Sequence, residues 1–160
     1  MNLCLDFLIS ISLCKCQVKG WTRICIETFK TLNMLAFKNT FTSFSVNDLD
    51  KANDFYSNIL GLPVTRTNEG LSVKAPDNDV FIYPKSNHQP ATFTVLNFKV
   101  QDIDAAVDSL IKEGVQFEHY EGDIQTDAKG IMRGNGPTIA WFTDPAGNIL
   151  SVVENKSLQI

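Results

Sequence analysis

The chain carries one supersecondary unit twice: Phe44-Ser-Val-Asn-Asp-Leu-Asp-Lys-Ala-Asn-Asp54 returns as Phe98-Lys-Val-Gln-Asp-Ile-Asp-Ala-Ala-Val-Asp108. Two copies of one unit in one chain imply a pseudo-symmetric domain built by pairing the halves. Each copy opens on a short strand, turns through an Asp-rich cap, runs into an amphipathic helix and leaves through glycine, at Gly61 or Gly114. Both halves therefore begin β then α, and the predicted class is α+β.

Length and charge bound the rest. With 160 residues and 44% apolar content the chain suffices for one well-buried domain and leaves little for a second. The net charge is −4, with the acid excess concentrated after Met34. Such a surface is poor for nucleic acid or anionic lipid, so neither is expected as a partner. The same acidity suits a cationic ligand, and equally a self-repelling surface that keeps a protein in solution.

Residues 1–33 stand apart, because they hold all four cysteines (Cys4, Cys14, Cys16, Cys25) and no copy of the repeat. As a secretory signal the segment is poor: no basic residue precedes its apolar run, Asp6 interrupts it and Lys15 ends it. It is also too short to span a bilayer. Cys14-Lys-Cys16 lacks the two-residue spacing of a zinc or redox pair, and no histidine lies near it. The expectation is free thiols in a reducing cytoplasm. Residues 1–33 read as an accessory or mis-assigned extension, with Met34 opening the functional domain, 34–160.

From Met34 onward, alternation along a strand at Phe37 to Val46 places Phe44 and Val46 on one face, toward a helix, and Phe41, Ser43 and Ser45 on the other. Asp48 is placed to cap a helix in which Ala52, Phe55, Tyr56 and Ile59 fall at helical spacing. Extended runs follow at Leu62 to Thr67, Gly70 to Ala75 and Val80 to Pro84, with turn residues between them. This completes a βαβββ module over 37–86. A second, over 91–154, is predicted as strand Thr92 to Val100, helix Asp102 to Glu113, and strands at Val115 to Glu118, Pro137 to Thr143 and Asn148 to Glu154. Asp144-Pro-Ala-Gly-Asn148 reads as the hairpin joining the last two.

The run from Val46 to Leu62, with its Val-x-Asp-Leu-Asp and Phe-Tyr-x-x-x-Leu-Gly-Leu steps, resembles the opening of the vicinal-oxygen-chelate superfamily, which includes glyoxalase I, bleomycin-resistance proteins and extradiol dioxygenases. Trp141 to Leu150 is similar to that family's closing hairpin, and with the repeat the resemblance spans residues 37–154. It implies paired βαβββ modules whose strands form a half-open curved mixed sheet around a cleft, the glyoxalase/bleomycin resistance/dihydroxybiphenyl dioxygenase fold. One scaffold of this kind hosts several chemistries.

Catalytic members of the family usually hold a divalent metal through His and Glu drawn from both modules. The corresponding positions here are Phe41, Val95 and Ser151, with a fourth near Ile82. A divalent ion needs three or four converging donors, and Phe, Val and Ile supply none. His88 and His119 lie in the inter-module link and at a loop start, where a solvent-exposed side chain is expected. No metal and no cofactor are therefore expected.

What remains is an apolar cleft with a few polar markers. Alternation puts Phe41, Ser43, Ser45, Val95, Asn97, Ile139, Trp141 and Ser151 in it. Phe41 and Trp141 suit stacking on a ligand, while Ser43, Asn97 and Ser151 suit orienting it. Core packing for Trp141 and cross-sheet pairing for the Ser and Asn fit the same pattern. The glycine-rich segment from Tyr120 to Gly136 has the length of a lid. Arg133 within it is placed either to pair with an anionic ligand or to bridge to Glu121, Asp123 or Asp127.

Two functions fit. One is a metal-free binding protein that sequesters or carries a small organic molecule, like the bleomycin-resistance branch. The other is a glyoxalase-type lyase or isomerase, or a dioxygenase, working with atypical ligands or with Tyr120 or Glu121 as acid and base. The resemblance also implies a homodimer in which one chain closes the other's cleft.

Overall fold

The computed structural model describes residues 14–18, 21–25, 38–76, 78–134 and 136–154. The chain divides into two compact units, Met1–Lys38 and Asn39–Ile160. In the first, β1 (Cys14–Val18) and β2 (Trp21–Cys25) pair antiparallel, Cys14 opposite Cys25. The readings made above on the cysteine thiols and on the start of the functional domain lie outside the described residues and side chains.

The second unit contains both copies of the repeat. The first copy gives β3 (Phe41–Val46), α1 (Leu49–Asp54), β4 (Val64–Arg66), β5 (Leu71–Val73) and β6 (Asp79–Pro84). The second gives β7 (Thr94–Lys99), α2 (Ile103–Lys112), β8 (Ile131–Met132), β9 (Thr138–Thr143) and β10 (Ile149–Glu154). Each copy makes a four-stranded sheet, ordered β3-β6-β5-β4 and β7-β10-β9-β8. In each, the first strand runs parallel to the last, and the other pairings are antiparallel. The result is the expected α+β fold of two βαβββ modules with curved, unclosed mixed sheets.

The repeated residues do the same work in both halves. The Asp48 carboxylate accepts from the N–H groups of Asp50 and Lys51, and Asp102 accepts from Ala105, so each helix starts on a capped turn. Gly61 and Gly114 follow the helices at φ 66° and 89°, the left-handed exit that costs glycine least. The halves differ after Asp54, where Phe55–Ile59 widens into a π turn closed by Leu60 N–H to the Phe55 carbonyl at 2.9 Å. The wider turn accommodates two adjacent aromatics, Phe55 and Tyr56, that are both buried.

Each sheet turns one face to a shared core. Phe44, Val46, Leu71, Val73, Val80 and Ile82 line it from the first sheet, and Ile131, Ala140, Phe142, Leu150 and Val152 from the second. Helix α2 packs on β9 and β10 and buries Ile103 and Val107. Among the described residues no helix is long and apolar enough to cross a membrane.

Two sequence expectations fail locally. Val115 to Glu118 is not a strand: Phe117 makes one bridge to Phe142, and Glu118 N–H reaches the Trp141 carbonyl at 2.8 Å. The neighbouring stretch of the β9 edge is taken by β8, so two short segments share one edge. Tyr120 to Gly136 is also no free lid. Its Gly122–Ile124 turn is closed by reciprocal bonds between Tyr120 and Thr126, Ile131 is fully buried, and Lys129 and Arg133 reach Asp108 and Asp104 on α2.

Candidate functional site

Each sheet has an open face, opposite the core. On the first, the register sets Phe41 beside Asp79 and Ser43 beside Phe81, with Ser72 on the far side of Phe81. Phe41, at 65% exposure, shares with Ser72, Asp79 and Phe81 the lining of a concavity of about 360 Å³. Ser43 is exposed on the same face.

On the second sheet, Asn97, Ser151 and Trp141 form one rung across β7, β10 and β9. Ser151 is fully buried, and its hydroxyl donates to Asn97 Oδ1 at 2.6 Å. The Tyr120 ring meets the Trp141 ring nearly perpendicular, centroids 5.5 Å apart. Burial, and then the Glu118 charge, push the Tyr120 phenol above its usual range, so it holds its proton and serves as a hydrogen-bond donor. The next rung is Lys99, Val153, Ile139 and Met132.

The sequence-selected residues therefore fall into three places. Asn97, Ser151 and Trp141 are together; Phe41 and Ser43 share the other sheet; Arg133 is with neither group. Met132 pairs with Ile139 on the open face, so the next residue points to the other side. There Arg133 bonds Asp127 at 3.0 Å and Asp104 at 2.8 Å. Asp127 was one of the acids named for it; Asp104, distant in sequence, was not.

Other expectations need correcting. Ile82 is fully buried in the core, and the open-face position on β6 at the rung matching Ser151 belongs to Phe81. Val95 sits at a register slip between Ile149 and Leu150 and packs partly against the core. His88 is not a free surface side chain: its Nδ1 lies 2.9 Å from Ser45 Oγ and its Nε2 3.1 Å from the Ala146 carbonyl. His119 is exposed. Phe81 was missed as an open-face residue, although alternation from Asp79 through Phe81 to Tyr83 carried the signal; Tyr120, named as a candidate acid or base, lies against Trp141.

The donor set does not fit a divalent ion. Phe41, Phe81 and Val95 offer no donor atom, and the Ser151 hydroxyl is committed to Asn97. Among the described residues no group of three His, Cys, Asp or Glu converges.

A second polar cluster joins the modules. Asp144 Oδ2 accepts from the Tyr56 hydroxyl and from Asn148 Nδ2, each at 2.9 Å, while Oδ1 accepts from the Ala146 and Asn148 N–H groups. Asn148 Nδ2 also donates to the Ser45 carbonyl at 3.0 Å. All of these side chains are bonded, so the cluster is a fastening and not a reactive centre.

Residues 38–152 match the family model of the Glyoxalase/Bleomycin resistance protein/Dioxygenase superfamily. A protein of Vibrio parahaemolyticus named "Probable lactoylglutathione lyase" is 26% identical over 130 residues, covering 72% of this chain and 88% of the relative. A solved member of the superfamily from Sphaerobacter thermophilus is 26% identical, with a TM-score of 0.55, over 76% of this chain and 99% of its own. An antibiotic binding protein from a Streptomyces species has the same fold at 22% identity and a TM-score of 0.55, over 76% of this chain and all of its own.

Proposed function

Since the chain belongs to the glyoxalase/bleomycin resistance protein/dioxygenase superfamily, we propose that it binds a small organic molecule on the open faces of its sheets, without a catalytic metal, in a sequestering or carrier role. The observation that carries this reading is the chemistry of the metal-holding positions. They hold two phenylalanines, a valine and a serine that is already bonded, which favours contact with an organic ligand over coordination. Phe41, Phe81, Ser43 and Ser72 on the first sheet, and Asn97, Trp141 and Tyr120 on the second, are the proposed contacts. Arg133 is not among them, because both its bonds run to acids on the other side of its sheet.

The Streptomyces neighbour, an antibiotic binding protein, is one example of what this fold accommodates. The Vibrio relative supports the second reading, a lyase; with a metal at the family's usual positions that reading requires donors that the four positions lack. Phe41 and Phe93, 65% and 68% exposed, are large apolar side chains in search of cover. A homodimer in which one copy covers the other's open faces would supply it.

Melting the full chain against a panel of small organic molecules, with and without nickel, zinc, manganese or iron, tests the reading. Organic hits that raise the melting temperature independently of metal are expected. A stoichiometric metal retained in native mass spectrometry, with melting that responds to it, would overturn the reading and direct work to a lyase assay.

A further inference from the structure

We propose, on the reading that a ligand lies against the open face of the second sheet, that Ser151 and Asn97 set its chemistry. Ser151 holds the Asn97 amide with its NH2 outward, so the face takes a planar molecule carrying a hydrogen-bond-accepting oxygen, with a carboxylate as the strongest fit.

The argument starts from burial. Asp144, Asn148 and Ser151 are the buried polar side chains among the described residues, and the first two are consumed by the hairpin fastening. A buried hydroxyl that fails to donate forfeits its hydration, so Ser151 must place its hydrogen on a partner. That partner is Asn97 Oδ1, at 2.6 Å. Once the carbonyl limb of the amide is the acceptor, the other limb is the NH2 group, a donor of two hydrogens with no acceptor character. Asn97 is itself exposed, so this donor faces outward from the sheet.

The surroundings on the Asn97 side agree in sign. Trp141, on the same rung, offers a large half-buried ring steadied by Tyr120. Tyr120 keeps its proton and is a second donor. Lys99 lies two residues along β7, on the same side and exposed. The rungs of Asn97 and Lys99 continue through Ser151, Trp141, Val153, Ile139 and Met132, with one acid, Glu118, beyond Trp141 at the edge opposite β7. An acidic protein thus presents amide donors and a cation at the β7 end of this face, away from Glu118, so the preference for a cationic ligand that its net charge suggests is reversed beside Asn97.

Two probes of one ring size test it on the full-length, isotope-labelled protein: 2-naphthoate and 2-naphthylmethylammonium, followed by nuclear magnetic resonance. The expected result is that naphthoate shifts the Asn97 side-chain NH2 pair and the Trp141 indole, and binds about tenfold or more tighter than the ammonium. Asn97→Asp, which turns the donor into an anion, is expected to remove or reverse that preference. Ser151→Ala, which frees the amide to rotate, is expected to shrink it and to move the Asn97 NH2 signal in the free protein, with the Asp144–Asn148 hairpin resonances reporting that the fold is kept. Equal binding of both probes beside Trp141, with a ratio that Asn97→Asp leaves unchanged, overturns the role of Ser151 and Asn97 while the binding face stands. Neither probe moving any resonance of that face overturns both.

Discussion

The Tyr56 hydroxyl donates to Asp144 Oδ2 at 2.9 Å, joining residues 88 positions apart in a buried contact. Tyr56 lies in the π turn that follows α1 in the first module and Asp144 opens the last hairpin of the second, so one hydrogen bond spans the repeat. Tyr56→Phe keeps the ring and deletes the donor, leaving Oδ2 to Asn148 alone. A loss of about 1–3 kcal/mol in folding stability is expected, measured by urea denaturation.

That bond also sets a pH dependence. Burial, then the charge of Asp144 and the bond to it, push the Tyr56 phenol far above its ordinary value of 10.0. A group whose folded value is raised contributes stability that is fully present below its unfolded value and is lost as pH climbs beyond it, because only the unfolded chain releases the proton. Stability of the unmodified protein is therefore expected to fall above about pH 10 more steeply than that of Tyr56→Phe. Equal slopes in the two proteins would show that Tyr56 does not carry the effect.

His88 closes the same seam from the link between modules, with Ser45 on one ring nitrogen and the Ala146 carbonyl on the other. With Nε2 donating to the carbonyl, Nδ1 accepts from the serine hydroxyl, and one neutral ring satisfies both. His88→Ala is expected to cost about 1–2 kcal/mol, the sum of two such bonds, without changing probe binding at Trp141. Calorimetric melting checks the first expectation and probe titration the second.

What the sequence disclosed and what it hid divide by range. The caps at Asp48 and Asp102, the glycine exits and the Asp144–Asn148 hairpin are encoded within a few residues, so they could be read directly. Alternation likewise separated Phe44 and Val46 from Phe41 and Ser43. Ile82 in place of Phe81 is a slip of one residue, and in a strand one residue exchanges the faces. The Ala146 partner of His88 and the Asp104 partner of Arg133 lie 58 and 29 positions away, where no local pattern points. Val115–Glu118 reads as a strand because Val115 and Phe117 alternate with Gln116 and Glu118, whereas which segment pairs along β9 depends on contacts far along the chain.

Gly130 makes the fixed course of the 120–136 segment testable. It sits at φ 79°, and a Cβ placed on it would stand 2.7 Å from Phe117 Cβ and 3.0 Å from the Glu118 carbonyl. Gly130→Ala combines left-handed strain with overpacking against Phe117 and Glu118, and a loss of about 1–3 kcal/mol is expected. Unchanged melting would show that this loop yields readily, as a lid would.

Arg133 and Trp141 separate the binding face from the outer face. The bonds of Arg133 to Asp104 and Asp127 lie on half-exposed side chains, so solvent screens them and Arg133→Ala is expected to cost less than about 1 kcal/mol. Asp127 is pushed upward by burial, but the Ile131 N–H and the Arg133 guanidinium outweigh that and hold it below the usual carboxylate range. A lowered folded value gives stability that is present above the unfolded value and lost as pH falls through the folded one, so the contribution fades in acid below about pH 4. Since Arg133 points away from Trp141, its removal is expected to leave 2-naphthoate affinity within about twofold, whereas Trp141→Ala, which deletes the stacking surface, lowers it by about tenfold. Calorimetric titration of both variants decides the matter: a large loss with Arg133→Ala and none with Trp141→Ala would put the ligand on the α2 side and dismantle the assignment of the open face.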